Sequence, residues 1–347
     1  MGCEAVVEVS CSEADANEAA QLMPVEPPQL GLWPSLALSG VYIGSSIMSF
    51  LAIRYIRVLE KRGEATYNNA AIVMSIEVAK MLVSVTLRYL SSGEFVPFSV
   101  TVGPQRWHLW RMSWLYITPA FLYALYNNLT YVNLRLFDPG TVQLFMQTRI
   151  LFTGFLFVFL LHRSLSMRQW GALGILTVGL FIKYVSPTVM QAVGVRLLAI
   201  QLQAFLSSLA GVYNEVAFKR EAGTSIHLQN FFMYLYGILF NLMLGLLVAP
   251  QKYLHESIFC NSHVILIPII LLGTINGLTA AFMLKFINVI VKAFAASVEV
   301  ILTPVVAAAV LGEPLTWQDF TAGVFVMCSV YLYYTKGCGG NVTCKSK

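Results

Sequence analysis

The sequence predicts an all-α integral membrane protein of ten transmembrane helices in two inverted five-helix repeats. Three observations carry this: scarce charge, apolar stretches of membrane-spanning length, and self-similarity at a fixed offset. Of the 347 residues, 57% are hydrophobic and only 11% charged. Soluble domains carry roughly 25% charged residues, so this chain lacks the polar surface that water requires. An ordinary water-soluble enzyme is excluded, as are collagen-like, disordered and disulfide-scaffold classes.

Crossing a bilayer takes about 20 apolar residues in a helix. Ten such segments are predicted, at 34–56, 69–90, 113–134, 139–161, 167–186, 194–218, 226–249, 264–287, 291–312 and 317–335. Short polar breaks such as HRSLSMRQ and KREAGTS separate them. The runs are continuous rather than alternating, which argues against a β-barrel. Residues 1–32 form an acidic tail without a basic n-region, so neither a cleaved signal nor a lipid anchor is expected, and 337–347 form a second tail. The transmembrane domain is 33–336. An even helix number places both termini on one face, expected to be cytosolic, although the bias of basic residues between the two faces is slight.

Segment 140–184 aligns without gaps on 290–334, an offset of 150 residues that sets Leu165 on Leu315, Ser166 on Thr316 and Trp170 on Phe320. The halves run over about 33–186 and 193–336. With five helices in each, the second half enters the membrane upside down. Inverted repeats with a site at their interface are a layout of secondary transporters.

Ionisable groups in hydrocarbon cost about 2.5–3.5 kcal/mol on insertion scales and mark pathways or partners. The acids singled out are Glu77, Glu215 and Glu299, and the bases Lys80, Arg149, Lys285 and Lys292. Spacing pairs Glu77 with Lys80 and Glu215 with Lys219, as structural ion pairs or as gating elements. Lys292 and Glu299 share a helical face, and Arg149 maps onto Glu299 across the repeat, which suggests an Arg149–Glu299 contact. Tyr123 and Asn127, with Tyr131 one step further, repeat at helical spacing, as do Gln143 and Gln147. These sets serve either interhelical hydrogen bonding or a polar pocket for a heterocyclic base. Buried cations suit a phosphate-bearing solute. Neither a metal nor another cofactor is expected, and the absence of a nucleophile–base pair argues against an enzyme. Without a basic run, nucleic acid is not an expected partner.

Several segments together resemble the nucleotide-sugar transporters of the drug/metabolite transporter superfamily, in the branch carrying CMP-sialic acid, UDP-galactose and UDP-N-acetylglucosamine. They are SIEVAKMLVS (75–84), YALYNNLTYVNLRLFDPGTVQLFMQTRI (123–150), LAGVYNEVAFK (209–219), LQNFFMYLYGILFNL (228–242) and KFINVIVKAFAAS (285–297). The resemblance implies antiport of a cytosolic nucleotide sugar for a lumenal nucleoside monophosphate in the Golgi or endoplasmic reticulum membrane. A UDP-sugar is favoured, with CMP-sialic acid as the alternative nucleotide sugar, and a homodimer is compatible with the chain. By the same resemblance Tyr123, Asn127, Asn230 and Tyr234 would belong to the nucleotide pocket and Lys292 would meet the phosphate. Gln143, Gln147 and Arg149 complete the candidate binding set. Glu77, Lys80, Glu215, Lys285 and Glu299 are the candidate gating or ion-pair residues. Two positions depart from the family: Arg149 stands in QTRI where lysine is usual, and Glu299 where an apolar residue is usual. An acid near Lys292 would favour an uncharged sugar. Alternatives are a related transporter of another small solute, or a membrane scaffold without transport activity.

Overall fold

A computed structural model describes residues 30–63, 68–93, 104–137, 139–185, 194, 196–248, 250, 263–312 and 314–335. The N-terminal tail up to residue 29 and the C-terminal tail lie outside these. All regular structure among the described residues is helical. In chain order the helices are α1 (Leu32–Lys61), α2 (Asn69–Ser92), α3 (Pro104–Leu136), α4 (Pro139–Met146), α5 (Arg149–Leu161), α6 (Met167–Tyr184), α7 (Leu197–Arg220), α8 (Ile226–Val248), α9 (His263–Phe286), α10 (Val289–Leu311) and α11 (Trp317–Tyr334).

Among the described residues, six segments are long and apolar enough to cross a membrane: Leu32–Glu60, Thr141–Leu161, Leu197–Arg220, Ile226–Leu247, Leu266–Phe286 and Val289–Val310. Helices α2 and α3 are more polar because they carry the residues that face inward, Glu77, Lys80 and Ser84 on α2 and Asn127, Asn128 and Asn133 on α3. Outward positions are apolar: Phe159 is 74% exposed and Tyr331 72%, surfaces that water would penalise and acyl chains accommodate.

The segment expected as one helix over 139–161 is two. Helix α4 stops at Met146 and α5 starts at Arg149. Between them the backbone tightens, with Gln147 N–H donating to Leu144 C=O at 3.1 Å and Ile150 N–H to Gln147 C=O at 3.1 Å. Side chains hold the interruption. Thr148 Oγ1 donates to Gln201 Oε1 at 2.9 Å, and Ser208 Oγ donates to the Arg149 carbonyl at 2.7 Å. Irregular backbone at membrane depth needs such internal partners.

The two segments aligned at the 150-residue offset end and begin alike. His162 closes α5 and Gly312 closes α10, both left-handed at φ 50° and 69°. Glycine adopts that conformation without a Cβ penalty; histidine does so at some cost. Ser166 with Gln169 forms a capping box on α6, and Thr316 with Asp319 forms one on α11. These two capped helices are the most extensively packed pair. Gly179 makes the approach close, because a Cβ there would stand 2.4 Å from Phe325 Cβ. Lys183 of α6 bridges Asp319 of α11 at 2.7 Å, a pair not anticipated from spacing.

The main core joins α3, α5, α6, α7, α8, α9, α10 and α11, with Tyr116 and Phe218 fully buried and their rings 5.8 Å apart. Polar contacts tie α3 to α7: Asn133 Nδ2 donates to Gln203 Oε1, and Gln203 Nε2 donates to Thr130 Oγ1, each at 2.6 Å. In hydrocarbon such amide–hydroxyl bonds act as interhelical glue.

Candidate functional site

Two cavities adjoin inside the bundle. The larger, about 250 Å³, is lined from α2 by Glu77 and Lys80, from α3 by Tyr123 and Asn127, from α7 by Asn214, from α8 by Asn230, Tyr234 and Asn241, from α9 by Asn276 and Gly277, and from α10 by Lys292. The smaller, about 140 Å³, is lined by Tyr42, Gln147, Arg149, Thr153, Ser207, Ser208 and Ser297 among others. Tyr123 and Lys292 line both, so they stand at the junction. Ligand pockets usually span roughly 300–1,000 Å³, so a nucleotide-sized ligand would need both chambers.

In the larger chamber Glu77 and Lys80 form an ion pair at 2.6 Å, and the ammonium lies 4.4 Å from the centroid of the Tyr234 ring. Helical i, i+3 spacing brings the two charges together, and Gly277 makes room for the lysine stem: a Cβ there would fall 2.5 Å from Lys80 Cδ. Asn127 donates to Asn241 Oδ1 at 3.2 Å, which orients its amide across the chamber. Facing them is a set of polar atoms with no hydrogen-bond partner among the described residues: Asn230 Oδ1 and Nδ2, Asn214 Oδ1 and the Tyr234 hydroxyl. Asn230 is fully buried. A buried amide lacking hydrogen bonds costs several kcal/mol unless a ligand or water satisfies it.

The cations sort into two classes. Lys80 is neutralised by Glu77. Lys285 donates to the Thr224 carbonyl at 2.5 Å and to Gln229 Oε1 at 2.8 Å, and Gln229 in turn donates to the carbonyls of Phe218 and Glu221. Lys285 therefore ties α9 to the α7–α8 connection and lines neither chamber. Among the described residues, no ion pair engages Lys292 or Arg149, and both line the smaller chamber. Glu215 pairs with Lys219 at 2.6 Å, while its other oxygen accepts from Val289 N–H at 2.6 Å. Lys219 also donates to the Ile287 carbonyl at 2.8 Å, so this pair fixes α7 to the start of α10 outside the cavities.

Tyr123, Asn127, Asn230, Tyr234, Gln147, Arg149 and Lys292 thus converge on the two chambers, with the Glu77–Lys80 pair. Gln143 does not: its side chain is exposed and lines neither chamber. The i, i+4 argument fails there because Gln147 lies in the turn after α4 rather than on its helical face. The expected Arg149–Glu299 contact is also not formed. Among the described residues no ion pair joins Glu299 to Arg149, and Glu299 lines neither chamber. Ser46 is held by Asn276 Nδ2 at 2.8 Å. The side chain of Tyr131 is outside the described set. Sequence reading missed Asn214, Asn241 and Asn276. Their signal was present as amides within membrane-length helices, Asn214 directly beside the acid that drew attention.

The family model described as "Nucleotide-sugar transporter" matches residues 36–334. Among curated proteins, the chain is 32% identical over 319 residues to "UDP-galactose transporter senju" of Drosophila melanogaster, covering 79% of this chain and 80% of that protein. It is 27% identical over 288 residues to "CMP-sialic acid transporter 3" of Arabidopsis thaliana, covering 79% and 70% respectively. "CMP-sialic acid transporter 4" of Oryza sativa subsp. indica is 30% identical over 235 residues, covering 65% of this chain and 58% of that one. A solved structure titled "Crystal structure of protein" superposes with a TM-score of 0.62 over 88% of this chain and 98% of that chain, at 12% identity, which shows a shared fold. A match across the membrane region, with a relative of this identity over most of both chains, places this multi-pass membrane protein in the nucleotide-sugar transporter family.

Proposed function

We propose that this protein exchanges a pyrimidine nucleotide sugar, a UDP-sugar in first place, for the corresponding nucleoside monophosphate across a Golgi or endoplasmic reticulum membrane. The observation that carries the reading is the junction of the two chambers. On one side lie the unpartnered amide of Asn230 and hydroxyl of Tyr234, on the other the cations of Lys292 and Arg149 without carboxylates. An amide offers the paired donor and acceptor that a pyrimidine edge requires, and an aromatic ring offers a stacking face. Uncompensated cations in a partly dry cavity offset phosphate charge. The printed names of the relatives, UDP-galactose and CMP-sialic acid transporters, support a pyrimidine base.

The proposed architecture is ten spans, with α4 and α5 counting as one interrupted span, in halves 33–186 and 193–336. The matched caps at His162 and Gly312, and at Ser166 and Thr316, support the repeat. Alternating access then follows from rocking one half against the other about the central chambers, with both termini cytosolic. Substrate and product must bind the two states with comparable strength, or neither would be released.

Proteoliposomes preloaded with UMP, CMP or GMP and offered labelled nucleotide sugars test the reading. Preload-dependent uptake of a UDP- or CMP-sugar is the expected result. Absence of stimulation by any preload overturns it.

A further inference from the structure

The smaller chamber has two ends of different character. Arg149 and Lys292 bring positive charge to one end, and hydroxyl groups line the wall beyond them. At the helical rise per residue, Thr153 lies about 6 Å past Arg149 along α5, and Ser297 about 7.5 Å past Lys292 along α10. Ser208 of α7 completes the wall, and all three side chains are buried.

A hydroxyl group carries one proton and two lone pairs. Here each proton is already committed to the main chain. Thr153 Oγ1 and Ser208 Oγ both donate to the Arg149 carbonyl at 2.7 Å, and Ser297 Oγ donates to the Ala293 carbonyl at 2.8 Å. Back-bonding of this kind is a common way to bury serine or threonine in a helix. Three such groups on one cavity have a further consequence: what they leave for a ligand is lone pairs. The wall accepts hydrogen bonds and does not donate them. Tyr42, Gln147 and Ser207, the other polar groups of the chamber beside Tyr123, carry no charge, so no further cation lines it.

The ligand surface that matches is one of donors. Sugar hydroxyls donate, whereas an ionised carboxylate only accepts. A carboxylate against this wall meets lone pairs, or must take protons from carbonyls that then lose a partner inside the bundle. We propose that Thr153, Ser208 and Ser297 form an acceptor wall that takes the hydroxyls of an uncharged sugar and selects against a sugar bearing a carboxylate. The inference rests on the nucleotide-sugar reading and deepens it, by naming the residues that choose the sugar and the property they choose.

Matched nucleotide sugars provide the test: UDP-glucose against UDP-glucuronate and UDP-galactose against UDP-galacturonate, with UDP-N-acetylglucosamine, UMP, CMP and CMP-sialic acid alongside. Within each pair the base, phosphates and remaining hydroxyls are shared, so the comparison reads only the exchange of a hydroxymethyl group for a carboxylate. The purified wild type is expected to bind a neutral sugar about tenfold or more tightly than its acid, and CMP-sialic acid no more tightly than CMP. Thr153→Val and Ser297→Ala each remove one acceptor. Each should weaken the neutral sugar about two- to tenfold, the scale of one neutral hydrogen bond, and UMP by far less. Thr153→Ser keeps the acceptor and should bind as the wild type does. An acid bound as tightly as its neutral partner overturns the selection, as does CMP-sialic acid bound more tightly than CMP. A wild type that binds UMP or CMP and none of the neutral sugars overturns it too. Neutral-sugar affinity that is unchanged, or weakened only as much as UMP, overturns the contact, and either variant decides if the other does not fold. Failure of the parent reading looks different: neither a nucleotide nor a nucleotide sugar binds the wild type.

Discussion

Replacing Lys292 by methionine is expected to abolish tight nucleotide binding and leave the fold intact, whereas Lys285→Met is expected to do the reverse. The two lysines lie on consecutive helices and are equally conspicuous in an apolar sequence. Lys285 donates two short bonds, to Thr224 C=O and Gln229 Oε1. Hydrogen bonds to a charged group contribute about 1.5–3 kcal/mol each, and the relief of removing a buried charge offsets part of that, so Lys285→Met should destabilise by about 2–4 kcal/mol. Lys292 has no such bonds to lose. Removing an uncompensated cation should leave thermal stability unchanged or raise it. The nucleotide would lose one charge-assisted contact, again about 1.5–3 kcal/mol, or about 10- to 150-fold in affinity. Thermal unfolding in detergent or nanodiscs, with and without saturating UMP or CMP, reads both effects at once. Equal loss of stability in the two variants, or unchanged nucleotide affinity in Lys292→Met, would refute the division of roles.

Three further outcomes are expected. Gly277→Ala pushes against Lys80 Cδ, only 2.5 Å from the new Cβ, and should displace the ammonium from Tyr234 and weaken nucleotide affinity severalfold; binding titrations check this, and affinity equal to the wild type counts against Lys80 as part of the chamber wall. Glu215→Gln strands Lys219 in a site from which water is excluded and should cost about 3–5 kcal/mol, with Glu215→Gln/Lys219→Met recovering much of it in the same unfolding assay. Gly179→Ala must force α6 and α11 apart against Phe325 Cβ and should destabilise by about 1–3 kcal/mol without altering nucleotide affinity; a silent substitution would refute the close approach of the two helices.

The spans were legible wherever a helix faces lipid over most of its surface, as α9 and α10 do, because there composition alone reports the solvent. They were less legible at α3, which begins at Pro104, well before the segment expected from residue 113. The break at Gln147–Thr148 was invisible for a different reason. The local sequence PGTVQLFMQTRILF has no glycine or proline at that point, and the partners that stabilise the interruption, Gln201 and Ser208, lie in α7. Gln143 was misjudged through the same break. The convergence of Tyr123, Asn127, Asn230 and Lys292 followed from motifs, whereas Asn214, Asn241 and Asn276 emerged only when their helices were assembled.

By itself the sequence determined the solvent, the positions of the apolar segments, and a short set of charges too costly to bury without cause. Those properties depend on composition and on local spacing, as the Glu77–Lys80 and Glu215–Lys219 pairs show. Only the tertiary structure decided which cations remain free. Lys285 finds its acceptors 61 and 56 residues away, whereas no ion pair engages Lys292 or Arg149 among the described residues. Whether a buried charge is satisfied is a property of what the other helices bring to it, and helix assembly sets that from parts of the chain no local pattern connects.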